Sequence, residues 1–186
     1  MLRAVIISLL CVLPLVANAN SKRLDQADFP QSIEVDGQPL ALRNASVLNY
    51  LFVDVYSAAL LAPAEAPLDN ITDTQTPVHL ELFYYRNIDR ADVIKAAWVA
   101  LERQYDAESL ARLRPEVDRL HATFTDIKPE DRYSLTLDSK HALSLKYNGE
   151  ETFQSNDPEL ARAYIGIWLR ANGLSDKLRN QLIAER

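Results

Sequence analysis

The side chains best suited to chemistry in this chain form two aromatic groups. Tyr84, Tyr85 and Arg86 are consecutive at the end of an apolar stretch. Because a guanidinium offers paired donors and a phenol offers one, this group predicts a clamp for a carboxylate. The alternative is that the rings fill the core while Arg86 reaches solvent. Tyr164 and Trp168 lie one helical turn apart, a spacing typical of core packing and also of a ligand-binding wall.

Other catalytic arrangements have little support in the sequence. The histidines, His79, His121 and His141, are far apart and lack neighbouring ligands at a metal-site spacing, so we interpret them as surface or capping residues. We therefore expect no metal and no cofactor. The chain has no Gly-x-Ser-x-Gly elbow and no glycine-rich phosphate loop. The acidic pair Asp89 and Asp92 fits the start of a helix better than a catalytic pair.

The first nineteen residues have the composition of a secretory signal peptide. Arg3 supplies a positive start, residues 4–16 are almost unbroken apolar sequence, and Ala17-Asn18-Ala19 provides small residues for cleavage. We expect cleavage after Ala19, a periplasmic or secreted protein, and no stable membrane anchor in the mature chain. An uncleaved N-terminal anchor is the alternative. Cys11 would leave with this segment, which excludes disulfides and thiol catalysis in the mature protein.

Residues 20–186 have the length and composition of a single ordered domain. The formal net charge of the whole chain is −6, and loss of Arg3 makes it −7. Nucleic acids and anionic membranes call for clustered Lys and Arg, so this balance argues against both as partners.

The first half of the chain predicts strands followed by helices. After a polar leader at residues 20–28, Asp36-Gly37 predicts a hairpin turn between residues 32–35 and 40–42. The apolar run at residues 40–61 fits a buried strand pair or a buried helix, and its Val, Leu, Phe and Tyr content favours strand. Residues 78–85 continue as a strand that is buried on both faces at its aromatic end.

Helical periodicity begins at Asp89, which is placed to cap a helix that ends near Tyr105. Asp106 is placed to cap a second helix. Because proline disfavours helix for the residue before it and suits a first turn, we expect a break and a third helix at Pro115.

The second half returns to strands and ends in helices. Residues 132–137 and 143–147 alternate, and Asn148-Gly149 predicts a tight turn into a third strand at residues 150–153. Asp157-Pro158 opens a helix that ends at Asn172-Gly173, and Ser175 caps a last short one. Antiparallel hairpins with segregated helices predict an α+β fold in which helices cover one face of a sheet.

Seven collinear segments resemble the bacterial chalcone isomerase-like family across nearly all of the mature chain. They are Phe29-Pro30, DGQPLAL at 36–42, FVDVYSAALL at 52–61, RNIDRADVIKAAW at 86–98, FTDIKPEDRYSLTL at 124–137, NGEE at 148–151, and ARAYIGIWLRANGLSDKLRNQLI at 161–183. The resemblance implies an open-faced β-sandwich, a large antiparallel sheet with helices packed over one face and a ligand cleft between them. It also implies relatives of two kinds, plant isomerases that close a flavonoid ring and non-catalytic members, some of which bind fatty acids.

Function in that family depends on an arginine in a Gly-x-Gly-x-Arg turn ahead of the long strand. This chain has Asn44-Ala45-Ser46-Val47-Leu48 at the corresponding place, so Leu48 stands where the resemblance implies the arginine. Leucine offers no donor to an anion, and the nearby Arg43 is offset to the other face of a strand. We therefore carry over no catalytic residue.

The resulting hypothesis is an exported, non-catalytic chalcone isomerase-like protein that binds a small apolar or fatty-acyl ligand in its cleft. The candidate ligand-binding residues are Leu48, Tyr56, Tyr84, Tyr85, Arg86, Tyr164 and Trp168. One alternative is an isomerase or lyase that uses Tyr84, Tyr85 or Arg86 in place of the missing arginine. Another is an interaction protein with a closed cleft, whose protein partner the sequence leaves open.

Overall fold

The computed structural model describes residues 15–73, 76–140 and 142–185, with side chains from residue 20 onward. Its centre is a seven-stranded antiparallel sheet in which every strand pairs with its neighbours in chain order. The strands are β1 (Ser32–Val35), β2 (Gln38–Tyr50), β3 (Val53–Ala62), β4 (Val78–Tyr84), β5 (Arg132–Leu137), β6 (Leu143–Tyr147) and β7 (Glu150–Ser155).

Five described helices accompany the sheet: α1 (Leu15–Ala27), α2 (Arg90–Gln104), α3 (Ala107–His121), α4 (Pro158–Leu169) and α5 (Asp176–Leu182). Helices α2–α5 pack over one face and share the main hydrophobic core with it. The predicted α+β fold, an antiparallel sheet with helices over one face, is confirmed. None of these helices is long and apolar enough to cross a membrane.

The long apolar run forms β2 and β3, which confirms the strand interpretation. The two strands meet in a two-residue turn at Leu51 and Phe52, whose φ angles are +47° and +66°. Such turns normally use Asn-Gly, because a side chain at positive φ is strained. Without that signature the sequence did not reveal where the run turns. Tyr50, Leu51 and Phe52 are all largely exposed at this tip.

The interpretation of residues 20–28 as a polar leader missed a helix, because residues 20–27 belong to α1. The helix lies on the face of the sheet opposite α2–α5. Ala27 is fully buried there, and the Arg23 guanidinium pairs with Asp54 at 2.8 Å. These tertiary contacts stabilise a segment with few apolar residues of its own. Residues 1–14, which include Cys11 and most of the predicted signal peptide, lie outside the described residues.

The break predicted at Pro115 is also wrong, because α3 runs through it without interruption. Leu113 and Val117 flank the proline and are both buried, so packing on either side offsets the backbone hydrogen bond that proline cannot donate. The cap at Asp106 is confirmed by its bond from the Ser109 amide. Asp89 occupies the cap position of α2 without a side-chain bond.

Candidate functional site

A cavity of about 650 Å³ lies between the helix-covered face of the sheet and helices α2 and α4. Its walls come from β2 to β6, from α2 and α4, and from the segments that follow β4, α3 and α4. Most of the 22 lining residues are aliphatic or aromatic. Five of the seven candidate residues line this cavity: Leu48, Tyr56, Tyr84, Tyr164 and Trp168.

Strand register aligns three of these residues in one row. Leu48 pairs with Tyr56 across β2 and β3, and Tyr56 pairs with Tyr84 across β3 and β4. Directly paired residues point to the same face of a sheet, so all three side chains reach the cavity. The Tyr56 and Tyr84 ring centroids are 5.2 Å apart.

Helix α4 closes the opposite side of the cavity. Tyr164 and Trp168 are four residues apart and so lie on one helical face. The Trp168 indole Nε1–H donates to the Tyr56 hydroxyl oxygen at 2.9 Å, which ties the helix to the sheet. Burial raises the pKa of Tyr56, an effect that the bond from Trp168 only partly offsets, so the phenol is protonated at neutral pH.

Tyr84 differs from its neighbours because its hydroxyl has no hydrogen-bond partner within the described part of the chain. The side chain is only 5% exposed and lines the cavity. Burial raises the pKa of Tyr84 well above its usual value, with further contributions from three neighbouring tyrosines. The hydroxyl therefore remains a neutral donor that faces the cavity.

His121 is buried, so its prediction as a surface or capping residue is wrong. Its Nε2 lies 3.1 Å from the Tyr164 hydroxyl, and the imidazole packs among Trp98, Phe124 and Tyr164. Burial lowers the pKa of His121 to about 4, which keeps the ring neutral at pH 7. The histidine therefore supports the wall of the cavity without adding a charge to it.

His79 is buried as well, on β4, where the Nδ1 atom lies 2.8 Å from the Thr136 hydroxyl. The third histidine, His141, lies outside the described residues. Within residues 15–73, 76–140 and 142–185, no cluster of three or more His, Cys, Asp or Glu side chains could hold a metal ion.

The side chains just before Leu48 on β2 form hydrogen bonds with α5 and the residues that follow it. The Asn44 amide donates to the carbonyls of Leu182 and Ala184, and the Ser46 hydroxyl donates to Gln181 at 2.7 Å. Leu48 comes next and forms part of the cavity wall. Arg43 points elsewhere, because its guanidinium donates to the Pro63 and Ala66 carbonyls.

Tyr85 and Arg86 are not among the cavity-lining residues. Tyr85 lies on the other face of the sheet, where its hydroxyl donates to the Arg23 carbonyl and lies 2.5 Å from the Ser57 hydroxyl. Arg86 is exposed, and its Nε donates to the Asp54 carbonyl. Tyr84 and Tyr85 are consecutive and face opposite sides of the sheet, and Arg86 is exposed beyond the end of β4. The structure therefore does not bring the three residues to one site.

Sequence reasoning missed several residues that build the cavity. Phe124 and Tyr133 line it, and their ring centroids lie 5.4 Å apart. Asp92 also lines it from an exposed position on α2 and is the only charged side chain among the described lining residues. Nothing in the local pattern separated these residues from ordinary strand, loop and helix positions.

Comparison with known proteins gives a family and a fold. The chalcone isomerase-like family matches residues 21–184. A crystal structure of a fatty-acid binding protein from Arabidopsis thaliana is similar with a TM-score of 0.64 and 16% sequence identity, over 83% of this chain and 90% of the plant protein. No curated protein matches the chain. At this level of identity the structural likeness is one of fold.

Proposed function

The chain belongs to the chalcone isomerase-like family, and on that premise we propose that it is an exported, non-catalytic member that holds a small apolar or fatty-acyl ligand in its cavity. The observation that carries this proposal is the cavity itself. Its volume of about 650 Å³ lies within the range of about 300–1,000 Å³ that is usual for small-molecule sites.

The chemistry of the walls supports binding rather than catalysis. No arginine, lysine or histidine is among the described lining residues, and Leu48 stands where the resemblance implies the catalytic arginine. Isomerisation of the family type would need a donor for a developing anion, and the aliphatic side chain of Leu48 supplies none.

The plant protein of similar fold is a fatty-acid binding protein, which supports a ligand-binding role for this cavity. An open cavity also favours a ligand over the interaction protein with a closed cleft. Cleavage after Ala19 would leave Asn20–Ala27 to form α1, so export is compatible with the fold.

Native mass spectrometry and a dye titration test this proposal. The protein should carry a releasable apolar mass, or bind the uncharged dye N-phenyl-1-naphthylamine at one saturable site. Ala96→Trp should abolish dye binding because Ala96 lines the cavity. Val99→Trp is the matched control, because Val99 is an exposed position of the same helix.

Two results would count against the proposal. The first is the absence of both a releasable mass and a saturable dye site. The second is dye binding that Ala96→Trp and Val99→Trp affect equally, since this would place the dye outside the cavity.

A further inference from the structure

The cavity selects for charge as well as for size. Of its 22 described lining residues only Asp92 is charged, and its negative charge would repel an anion. An ionised carboxylate that enters an apolar site without a cation loses its hydration and gains no compensating partner. The walls therefore disfavour the ionised form of a fatty acid.

The same walls contain one buried phenol whose hydroxyl makes no hydrogen bond to any described residue. The Tyr84 hydroxyl has no hydrogen-bond partner among the described residues, although its side chain is 5% exposed and faces the cavity. Buried hydroxyls are normally paired, so an unpaired one that lines a cavity marks a position where a guest atom can accept a hydrogen bond.

Each neighbouring aromatic polar group already takes part in at least one hydrogen bond within the protein. The Trp168 N–H is used by Tyr56, and the Tyr164 hydroxyl is within bonding distance of His121. The Tyr133 hydroxyl lies 3.5 Å from the Thr125 amide. Tyr84 is thus the buried lining phenol whose hydroxyl makes no hydrogen bond, as donor or acceptor, to any described residue, and burial raises its pKa so that it remains protonated.

We propose that the cavity is selective for an uncharged apolar molecule with an acceptor oxygen, such as a fatty-acyl ester, which accepts a hydrogen bond from the Tyr84 hydroxyl. This inference rests on the proposed function, because it names the class of ligand for the same cavity. It separates this chain from a carrier of ionised fatty acids.

Three probes with a ten-carbon chain test the selectivity: methyl decanoate, decanoate and decane. The affinity of each probe is measured at pH 8 by its displacement of N-phenyl-1-naphthylamine from the wild-type protein, from Tyr84→Phe and from Tyr85→Phe. Methyl decanoate should bind wild type at least about tenfold more tightly than decanoate, because only the latter must lose the hydration of its charge.

Tyr84→Phe should weaken methyl decanoate by about five- to tenfold, the usual effect of one lost hydrogen bond, and should weaken decane, which has no acceptor, much less. Tyr85→Phe is the matched control because that hydroxyl lies on the other face. It should leave all three affinities unchanged. Decanoate should bind more tightly as the pH approaches its pKa, where part of it is protonated.

The outcomes separate this inference from the proposed function. Dye binding with decanoate at least as tight as methyl decanoate would overturn the ligand class and leave the cavity's role intact. Equal affinity of methyl decanoate for wild type and Tyr84→Phe would overturn the role of the hydroxyl. Failure of the dye and of every probe to bind would remove the proposed function, and the inference with it.

Discussion

The two faces of the sheet handle polar groups in opposite ways. On the helix-covered face, tyrosine hydroxyls surround a cavity that has no cationic side chain among its described lining residues. On the other face, α1 closes over ion pairs that join Arg23 to Asp54 and Arg132 to Glu81. Although burial alone would raise the pKa of Glu81, bonds from His79 and Arg132 outweigh it and hold that pKa below its usual value.

The contrast is sharpest at two consecutive residues. Tyr84 leaves its hydroxyl without a partner in the described structure, whereas the Tyr85 hydroxyl contacts both Ser57 and the Arg23 carbonyl. The Arg23 guanidinium also lies 4.3 Å from the centre of the Tyr85 ring. The Tyr85 hydroxyl is thus satisfied by groups of the protein itself, whereas the Tyr84 hydroxyl is available to a ligand in the cavity.

Removing α1, which packs on the face of the sheet opposite the cavity, should cause the largest loss of stability. A chain that begins at Phe29 loses α1, together with the Arg23 pair and the bond that Arg132 donates to the Ala27 carbonyl. We expect its free energy of unfolding in urea to fall by at least about 3 kcal/mol relative to a chain that begins at Asn20. Equal unfolding midpoints for the two chains would show that α1 is dispensable.

Acid should destabilise the two faces in different pH windows. The pKa of His121 is lowered to about 4 in the folded state. As the pH falls, the imidazole therefore takes up a proton in the unfolded protein at a higher pH than in the folded protein. Stability due to this residue is complete above about pH 6.5 and is lost as the pH falls toward 4, by up to about 3 kcal/mol. Glu81, whose folded pKa is lowered from 4.5, loses its contribution only below that value.

Unfolding free energies measured at intervals from pH 7 to pH 3 check this order. His121→Phe should flatten the decline between pH 6.5 and 4, and Tyr85→Phe, which keeps the histidine, should retain it. An unchanged decline in His121→Phe would assign the effect to other groups.

Tyr84→Phe and Tyr85→Phe should have opposite patterns of effect. Tyr85→Phe should lower the free energy of unfolding without changing ligand affinity, and Tyr84→Phe should do the reverse. Tyr85→Phe leaves Ser57 and the Arg23 carbonyl without their partner, which should cost about 1–3 kcal/mol in urea unfolding. Tyr84→Phe removes a hydroxyl that has no bond in the described structure, and its effect without ligand should stay within about 0.5 kcal/mol. Similar losses in both variants would erase the distinction between the faces.

Redesign of the β2–β3 turn should give a small gain in stability. Replacing Leu51 and Phe52 by Asn and Gly relieves two side chains at positive φ and should raise the free energy of unfolding by about 1 kcal/mol. Dye affinity should not change, because neither residue lines the cavity. A loss of stability would mean that the exposed side chains make contacts that offset their strain.

The order of strands and helices was readable from the sequence because it depends on local periodicity. Residues 132–137 alternate clearly, and Asn148-Gly149 marks a turn with its own chemistry. Predictions failed where distant contacts decide the outcome. Residues 20–27 are helical through packing on the sheet, and α3 continues through Pro115 because residues on both sides are buried.

The site was only partly predictable for the same reason. The alternation of a strand separates Tyr84 from Tyr85, but the sequence does not say which face is left open. His121 carried no signal of burial, because its surroundings are assembled from α2, α4 and the segment after α3. Leu48 was identified through the family resemblance rather than through its own pattern.

The two tryptophans allow the most direct test that a guest enters the helix-covered face. The Trp168 N–H lies at the cavity in a bond to Tyr56, whereas Trp98, on α2, is not among the lining residues. In an NMR titration of ¹⁵N-labelled protein with methyl decanoate, we predict a saturable shift of the Trp168 indole signal, with Trp98 and the Arg23 and Phe29 amides nearly unchanged. Shifts confined to α1 and its surroundings, or no saturable shift at Trp168, would contradict this account.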